Sequence, residues 1–254
     1  MPRFLSRRQA LALGAAAGAA LLARPASAQQ AAGQFRFINA VPDALPLSVL
    51  IDGTARVPPV GYGSVTEWVP VATGEASIEV IPQPAAGGSP QPPLVTTTVT
   101  IAPDTWVTLL AIGQQVADNV QPWVITDQPP SAAAGGALVR VIHAAVGAPP
   151  LHVVASGPIT VQFGDVRFNE ASSYVGMDAG SYQLSAVAVP PAPALPQPPV
   201  FTFGAELPNP IVTGQRPVDS PISFGYSSYS IIAFGRVARD PYLAFLVTTD
   251  LSSI

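Results

Sequence analysis

Residues 35–40 read FRFINA, and residues 139–144 read VRVIHA. The likeness runs on without a gap. Pro46-Leu47-Ser48-Val49 faces Pro150-Leu151-His152-Val153, and Gly53 faces Gly157. A second block sets Tyr62, Gly63, Thr66 and Trp68 against Phe168, Asn169, Ser172 and Tyr174, with Gly74 meeting Gly180. A third sets WVTLLAIG, from Trp106, against SYSIIAFG, from Ser228. Each copy closes on a Pro-aromatic pair, Pro122-Trp123 or Pro241-Tyr242, followed by Thr126-Asp127 or Thr249-Asp250. Three ordered blocks with matching glycine punctuation mark an internal duplication.

Within a copy the hydrophobic period is two. Leu47, Val49 and Ile51 alternate with Ser48, Leu50 and Asp52; Ile78 and Val80 alternate with Ser77 and Glu79. Residues 95–101 form a Thr-rich, β-prone run, and 106–112 are apolar throughout, as in a strand buried on both faces. Proline, at 30 residues, suits turns and strand edges and opposes helices. The expected fold is all-β: two tandem immunoglobulin-like or related β-sandwich domains of about seven strands each. An up-and-down or Greek-key barrel is the alternative. The first repeat is expected over 35–127 and the second over 138–254, with 128–137 (QPPSAAAGGA) as linker. A Pro-rich insertion at 190–221 has a Phe201-Thr202-Phe203 centre that suits a short strand or a packed loop.

The N-terminus reads as a leader over 1–28. Arg3, Arg7 and Arg8 precede an uncharged Ala/Leu/Gly run at 10–23, then Arg24-Pro25 and a small-x-small cleavage site at Ala26 and Ala28. SRRQAL, with Arg7 and Arg8, resembles the twin-arginine motif; Ala10 stands where Phe is usual, which leaves the Sec route as the alternative. The apolar run is shorter than the roughly 20 residues of a spanning helix. The expected partner during export is the twin-arginine translocase. The expected location is periplasmic or secreted, without a membrane anchor after cleavage.

All 11 basic residues are Arg; four precede the cleavage point and no acidic residue does. The remaining seven Arg against 15 acidic residues leave −8. Such a surface opposes nucleic acid and anionic lipid. With no Cys, disulfides and thiolate ligands are excluded, so apolar burial must carry stability.

FINAVPDALPLSVLIDG (37–53) and VIHAAVGAPPLHVVASG (141–157) resemble the opening of the domain of unknown function 4397 (DUF4397) family, roughly V-H-A-S-P-D-A-P-x-V-D-V-x-x-D-G. The aromatic-Gly-x-x-[ST]-x-[YW] stretch, Ala179-Gly180-Ser181-Tyr182 and the strand from Tyr229 to Gly235 extend the resemblance over both repeats. Asn39 departs from the family's His, and Val146-Gly147 from its Pro-Asp. The resemblance implies an exported or surface bacterial protein and no established chemistry.

Few residues invite chemistry. His143 and His152 have Asn39 and Ser48 as repeat counterparts, so the scaffold does not require imidazole; His143 at a strand end suits a bond to loop backbone. Asp43, Asp52 and Asp104 fall in predicted turns, where Asp bonds nearby amides. Trp68 and Tyr174 share one repeat slot and read as core before they read as stacking platforms; Trp106 reads as core. No nucleophile elbow, phosphate loop, HExxH or calcium-loop pattern occurs. Trp68, Tyr174, Asp43 and His143 are the binding candidates. No catalytic residue, metal ligand or cofactor is expected. The function read from the sequence is a non-catalytic cell-envelope module that binds an envelope polymer or protein, or is structural. The alternative is a hydrolase-type periplasmic enzyme or its accessory subunit.

Overall fold

A computed structural model describes residues 32–84, 88–89, 91–127, 136–189, 201–202, 222–225, 227–236 and 243–252. The leader, with Arg7, Arg8, Ala26 and Ala28, lies outside the described residues, as do Pro241-Tyr242 and most of the 190–221 insertion.

The described chain is all-β, with no helix among its described residues. The first half runs β1 (Ala32–Asn39), β2 (Leu47–Ile51), β3 (Thr54–Val60), β4 (Ser64–Val65), β5 (Val69–Ala72), β6 (Gly74–Pro82), β7 (Val95–Ile101), β8 (Trp106–Ile112) and β9 (Gln121–Asp127). The second runs β10 (Gly136–His143), β11 (Leu151–Ser156), β12 (Thr160–Val166), β13 (Glu170–Ala171), β14 (Val175–Asp178), β15 (Gly180–Ala188), β16 (Phe201–Thr202), β17 (Ile222–Phe224), β18 (Ser227–Phe234) and β19 (Ala244–Ser252).

Each half is a two-sheet sandwich. In the first, an inner sheet has the order β4-β1-β8-β9, with β5 also on β1, and an outer sheet the order β3-β2-β6-β7. The second repeats this plan: β13-β10-β18-β19 with β14 on β10, against β12-β11-β15-β16 with β17 on β15. At the centre of each inner sheet the pairing is parallel, β1 with β8 and β10 with β18, in matching register (Phe35 opposite Val107, Val139 opposite Tyr229).

The strand number exceeds about seven for two physical reasons. Thr66 and Ser172 interrupt the strand beside β1 or β10, so it appears in two pieces. Their hydroxyls accept from Phe37 N–H and Val141 N–H, each at 2.9 Å, in place of a ladder bond. The closing Pro-aromatic stretch of the first copy is itself a strand, β9; Pro122 is tolerated there because β9 lies at a sheet edge. At the expected linker, β10 already begins at Gly136, and 128–135 lie outside the described residues. Within the insertion, Phe201–Thr202 is a short strand paired to Ser185 and Ala186.

Alternation places the cores. Phe35 and Phe37 of β1, with Val107 and Leu109 of β8, join Leu47, Ile78 and Val99 in the first core. Val139, Val141 and Ile231 join Val153, Leu184 and Phe224 in the second. The opposite faces of the same strands form a third core. Ile38, Leu110 and Ile112 of the first inner sheet meet Ile142, Ile232, Phe234 and Leu246 of the second. The inner sheets thus pack on each other, and the order of layers is outer, inner, inner, outer. This is why 106–112 is apolar on both faces: a lone two-sheet sandwich would leave one face of that strand to water.

Candidate functional site

The seam between the inner sheets holds charge as well as hydrocarbon. Arg36 on β1 and Arg140 on β10 sit at the same repeat position, on the faces that look into the seam. Both are buried, and so is Asp250 on β19. Arg36 Nη2 donates to Asp250 Oδ1, Nη1 to the Thr249 carbonyl at 3.2 Å, and Nε to Thr108 Oγ1 at 3.0 Å. Arg140 Nε donates to Ser230 Oγ at 2.8 Å and lies 3.8 Å from Asp250 Oδ2. Ser230 Oγ and Tyr174 Oη donate to that same oxygen at 2.7 and 2.8 Å. Burial pulls the Arg36 pKa below its ordinary value, and Asp250 opposes the shift. A charge this deep is held only when paired and hydrogen-bonded. Asp250 thereby ties β19 to β1.

Each guanidinium lies over an aromatic ring. Arg36 Cζ is 4.3 Å from the Trp68 ring centroid, and Arg140 Cζ is 4.7 Å from that of Tyr174. Trp68 and Tyr174 are therefore equivalent in space as well as in sequence. Both are half-buried at the seam rather than in a sandwich core. Trp106, read as core, is also half-buried; it packs edge-to-face on Trp68 at 4.7 Å and 83°.

Beside this cluster lies a cleft of about 330 Å3, walled by residues 63–68 of the first half and 246–249 of the second. Buried Arg36 and exposed Glu67 are among its lining residues. Trp68 also lines the cleft; its Nε1 is buried and has no hydrogen-bond partner among the described residues.

The other candidates are placed elsewhere. Asp43 accepts from Gln115 N–H and Val116 N–H, each at 2.9 Å, and ties the loop after β1 to the loop after β8. His143 is fully buried. Its Nδ1 accepts from Ala145 N–H at 3.2 Å, and its Nε2 donates to the Pro149 carbonyl at 3.1 Å. Asn39 makes the same two kinds of bond in the first half, to Val41 N–H and to the Val60 carbonyl, each at 3.0 Å. Asp52 and Asp104 hold left-handed turns, at φ 50° and 56°. Of the four candidates, Trp68 and Tyr174 lie at the seam, Asp43 lies in the loop after β1 and His143 at the end of β10. No cluster of three or more His, Cys, Asp or Glu that could hold a metal occurs among the described residues.

Sequence reasoning assigned no role to Arg36, Arg140 or Asp250. The signal was present: a lone Arg recurs inside an apolar strand in both copies, and a Thr-Asp pair closes both.

Residues 33–154 match the family DUF4397, described as a domain of unknown function. The match spans the first half and β10 and most of β11 of the second, and supports that family for this segment. No curated protein matches the chain. A solved structure described as "Alpha-glucan recognition by family 41 carbohydrate-binding modules from streptococcal virulence factors" is similar over 83% of this chain and 96% of its own. The identity is 9% and the TM-score 0.24. A likeness this low establishes neither a shared fold nor a shared ligand.

Proposed function

With residues 33–154 matched to DUF4397, we propose that this protein is an exported, non-catalytic binding module of the bacterial cell envelope. The leader at 1–28 directs it to the twin-arginine translocase, and the mature chain works in the periplasm or outside the cell. Its partner is an envelope polymer or protein.

One observation carries the reading. The side chains that could have done chemistry serve the scaffold instead. Both nitrogens of His143 and both oxygens of Asp43 bind backbone, and Arg36, Tyr174 and Ser230 converge on Asp250. Reactive groups held this way support recognition by shape and hydrogen bonding rather than turnover.

The test has two arms. Cell fractionation should find the wild type in the periplasm or medium, and the double variant Arg7→Lys, Arg8→Lys in the cytoplasm. Purified protein should then cosediment with isolated envelopes. An unprocessed, cytoplasmic wild type that stays in the supernatant would defeat the proposal. One feature favours the hydrolase alternative: the exposed pair His152 Nδ1–Asp165 Oδ1, at 2.8 Å. Turnover in a broad ester and glycoside screen, abolished by His152→Ala, would replace the binding reading with that one.

A further inference from the structure

A sheet edge carries unpaired backbone groups, and natural proteins blunt such edges. Most described edges of this chain are blunted. β3 holds Arg56, Pro58 and Pro59 and shifts register against β2. β9 holds Pro122. The pairings of β12 and β19 carry register shifts. The strands beside β1 and β10 are broken at Thr66 and Ser172. β16 and β17 are two and three residues long. β7 differs from all of these. It runs seven residues, Val95–Ile101, in unbroken register with β6, and holds no Pro, Gly or charged residue. Its counterparts in the second half are β16 and β17, so the edge that is broken in one half is whole in the other.

The direction of the backbone groups at this edge follows from the neighbouring strands. Ser77 on β6 donates its N–H to Asp52 Oδ1 at 2.9 Å, and its carbonyl accepts from Asp52 N–H at 2.8 Å. Its polar groups therefore face the β2 side. Ser77 is opposite Thr98, so that pair is not a hydrogen-bonded one. Alternation then turns the N–H and C=O of Thr96, Thr98 and Thr100 away from β6. They meet no partner among the described residues. The side chains of these three residues are exposed, whereas Val95, Val99 and Ile101 are buried in the first core.

We propose that β7 is a pairing edge for a second copy of this chain, antiparallel, with Thr98 opposite Thr98. The sequence selects the partner. About Thr98 the strand is close to a palindrome: Thr96 falls opposite Thr100, Thr97 opposite Val99 and Val95 opposite Ile101. The outward groups of Thr96, Thr98 and Thr100 then bond one another, and the buried side chains stay on the core side in both copies. No like charges meet across the join. The joined sheet ends on both sides at β3, where Pro58 and Pro59 stop further addition, so the assembly closes as a two-fold dimer. The proposal does not depend on the binding-module reading.

Sedimentation equilibrium of the purified protein, over about 1–100 µM, should show a concentration-dependent equilibrium of monomer and dimer. Thr98→Lys and Thr98→Glu each set like charges opposite one another at the two-fold axis. Each should raise the dimer dissociation constant about fivefold or more. An equimolar mixture of the two variants should recover the dimer, because Lys then faces Glu; this rescue requires that Thr98 face Thr98. Amide exchange of the wild type supplies a second readout, which decides the matter if a variant does not fold. The Thr96, Thr98 and Thr100 amides should exchange more slowly as protein concentration rises, and the Thr97 and Val99 amides should not change. A wild type that stays monomeric overturns the proposal, even if it binds a peptide of residues 95–101, since the edge would then serve a strand of another protein. A dimer indifferent to both variants, a mixture without rescue, or exchange at Thr98 independent of concentration also overturns it.

Discussion

His143 and Asn39 solve one problem with different side chains: a buried strand end needs an acceptor for an amide two residues on and a donor for a loop carbonyl. A neutral imidazole provides both, one nitrogen each, and an amide does the same. The imidazole adds a pH dependence. Burial lowers the His143 pKa below its ordinary 6.5. The unfolded chain then takes up the proton first as pH falls. The stability contributed is complete above about pH 6.5 and is lost as pH falls from there toward the folded-state pKa. His143→Asn, the residue of the first half, should preserve stability at about pH 7 and blunt the loss on acidification to about pH 5. Thermal melts at the two pH values check this. An equal loss in wild type and variant would remove His143 as the cause. The place of His143 was legible, because its counterpart is not a histidine. The Arg36–Asp250 pair was not, because 214 residues of separation give no local pattern to read.

At the scale of elements, the alternation of Leu47, Val49 and Ile51 was legible, and these residues do point into the first core. The parallel pairing of β1 with β8 was not, since a period of two sets a strand's faces and not its neighbour. Nor did the all-apolar run at 106–112 reveal what covers its second face. The covering element is the other half, and Gly63 records how near it comes. Gly63 has φ 69°, and a Cβ there would lie 2.5 Å from Cε2 of Phe234 on β18. Gly63→Ala should therefore cost about 2 kcal/mol or more, from backbone strain and from the ring. Phe234→Ala removes the ring but not the strain. A double-mutant cycle by urea denaturation should show the two changes coupled, the pair costing less than the sum of the single changes. Strict additivity would mean that the turn before β4 and the end of β18 do not meet.

For the whole molecule, the consequence of the third core is that neither sandwich is complete alone. Ile38, Leu110, Ile142 and Ile232 are buried only because two inner sheets meet. Apolar burial of this kind contributes about 1.5–3 kcal/mol per side chain, and a separated half would expose all of its share to water. The all-β, two-sandwich architecture was legible in the period of two; the shared third core was not, because no local pattern says which element covers a strand's second face. All three Trp residues, Trp68, Trp106 and Trp123, belong to the first half, so indole fluorescence reports that half and, through Trp68 and Trp123, its contact with the second, while far-UV circular dichroism reports the strands of both. The most direct measurement follows urea unfolding by both probes, in the wild type and in Asp250→Ala, a change in the second half expected to cost about 3–5 kcal/mol. The account predicts coincident transitions in each protein, and an equal shift of both midpoints in the variant. Two separate transitions, with the tryptophan midpoint unmoved by Asp250→Ala, would contradict it.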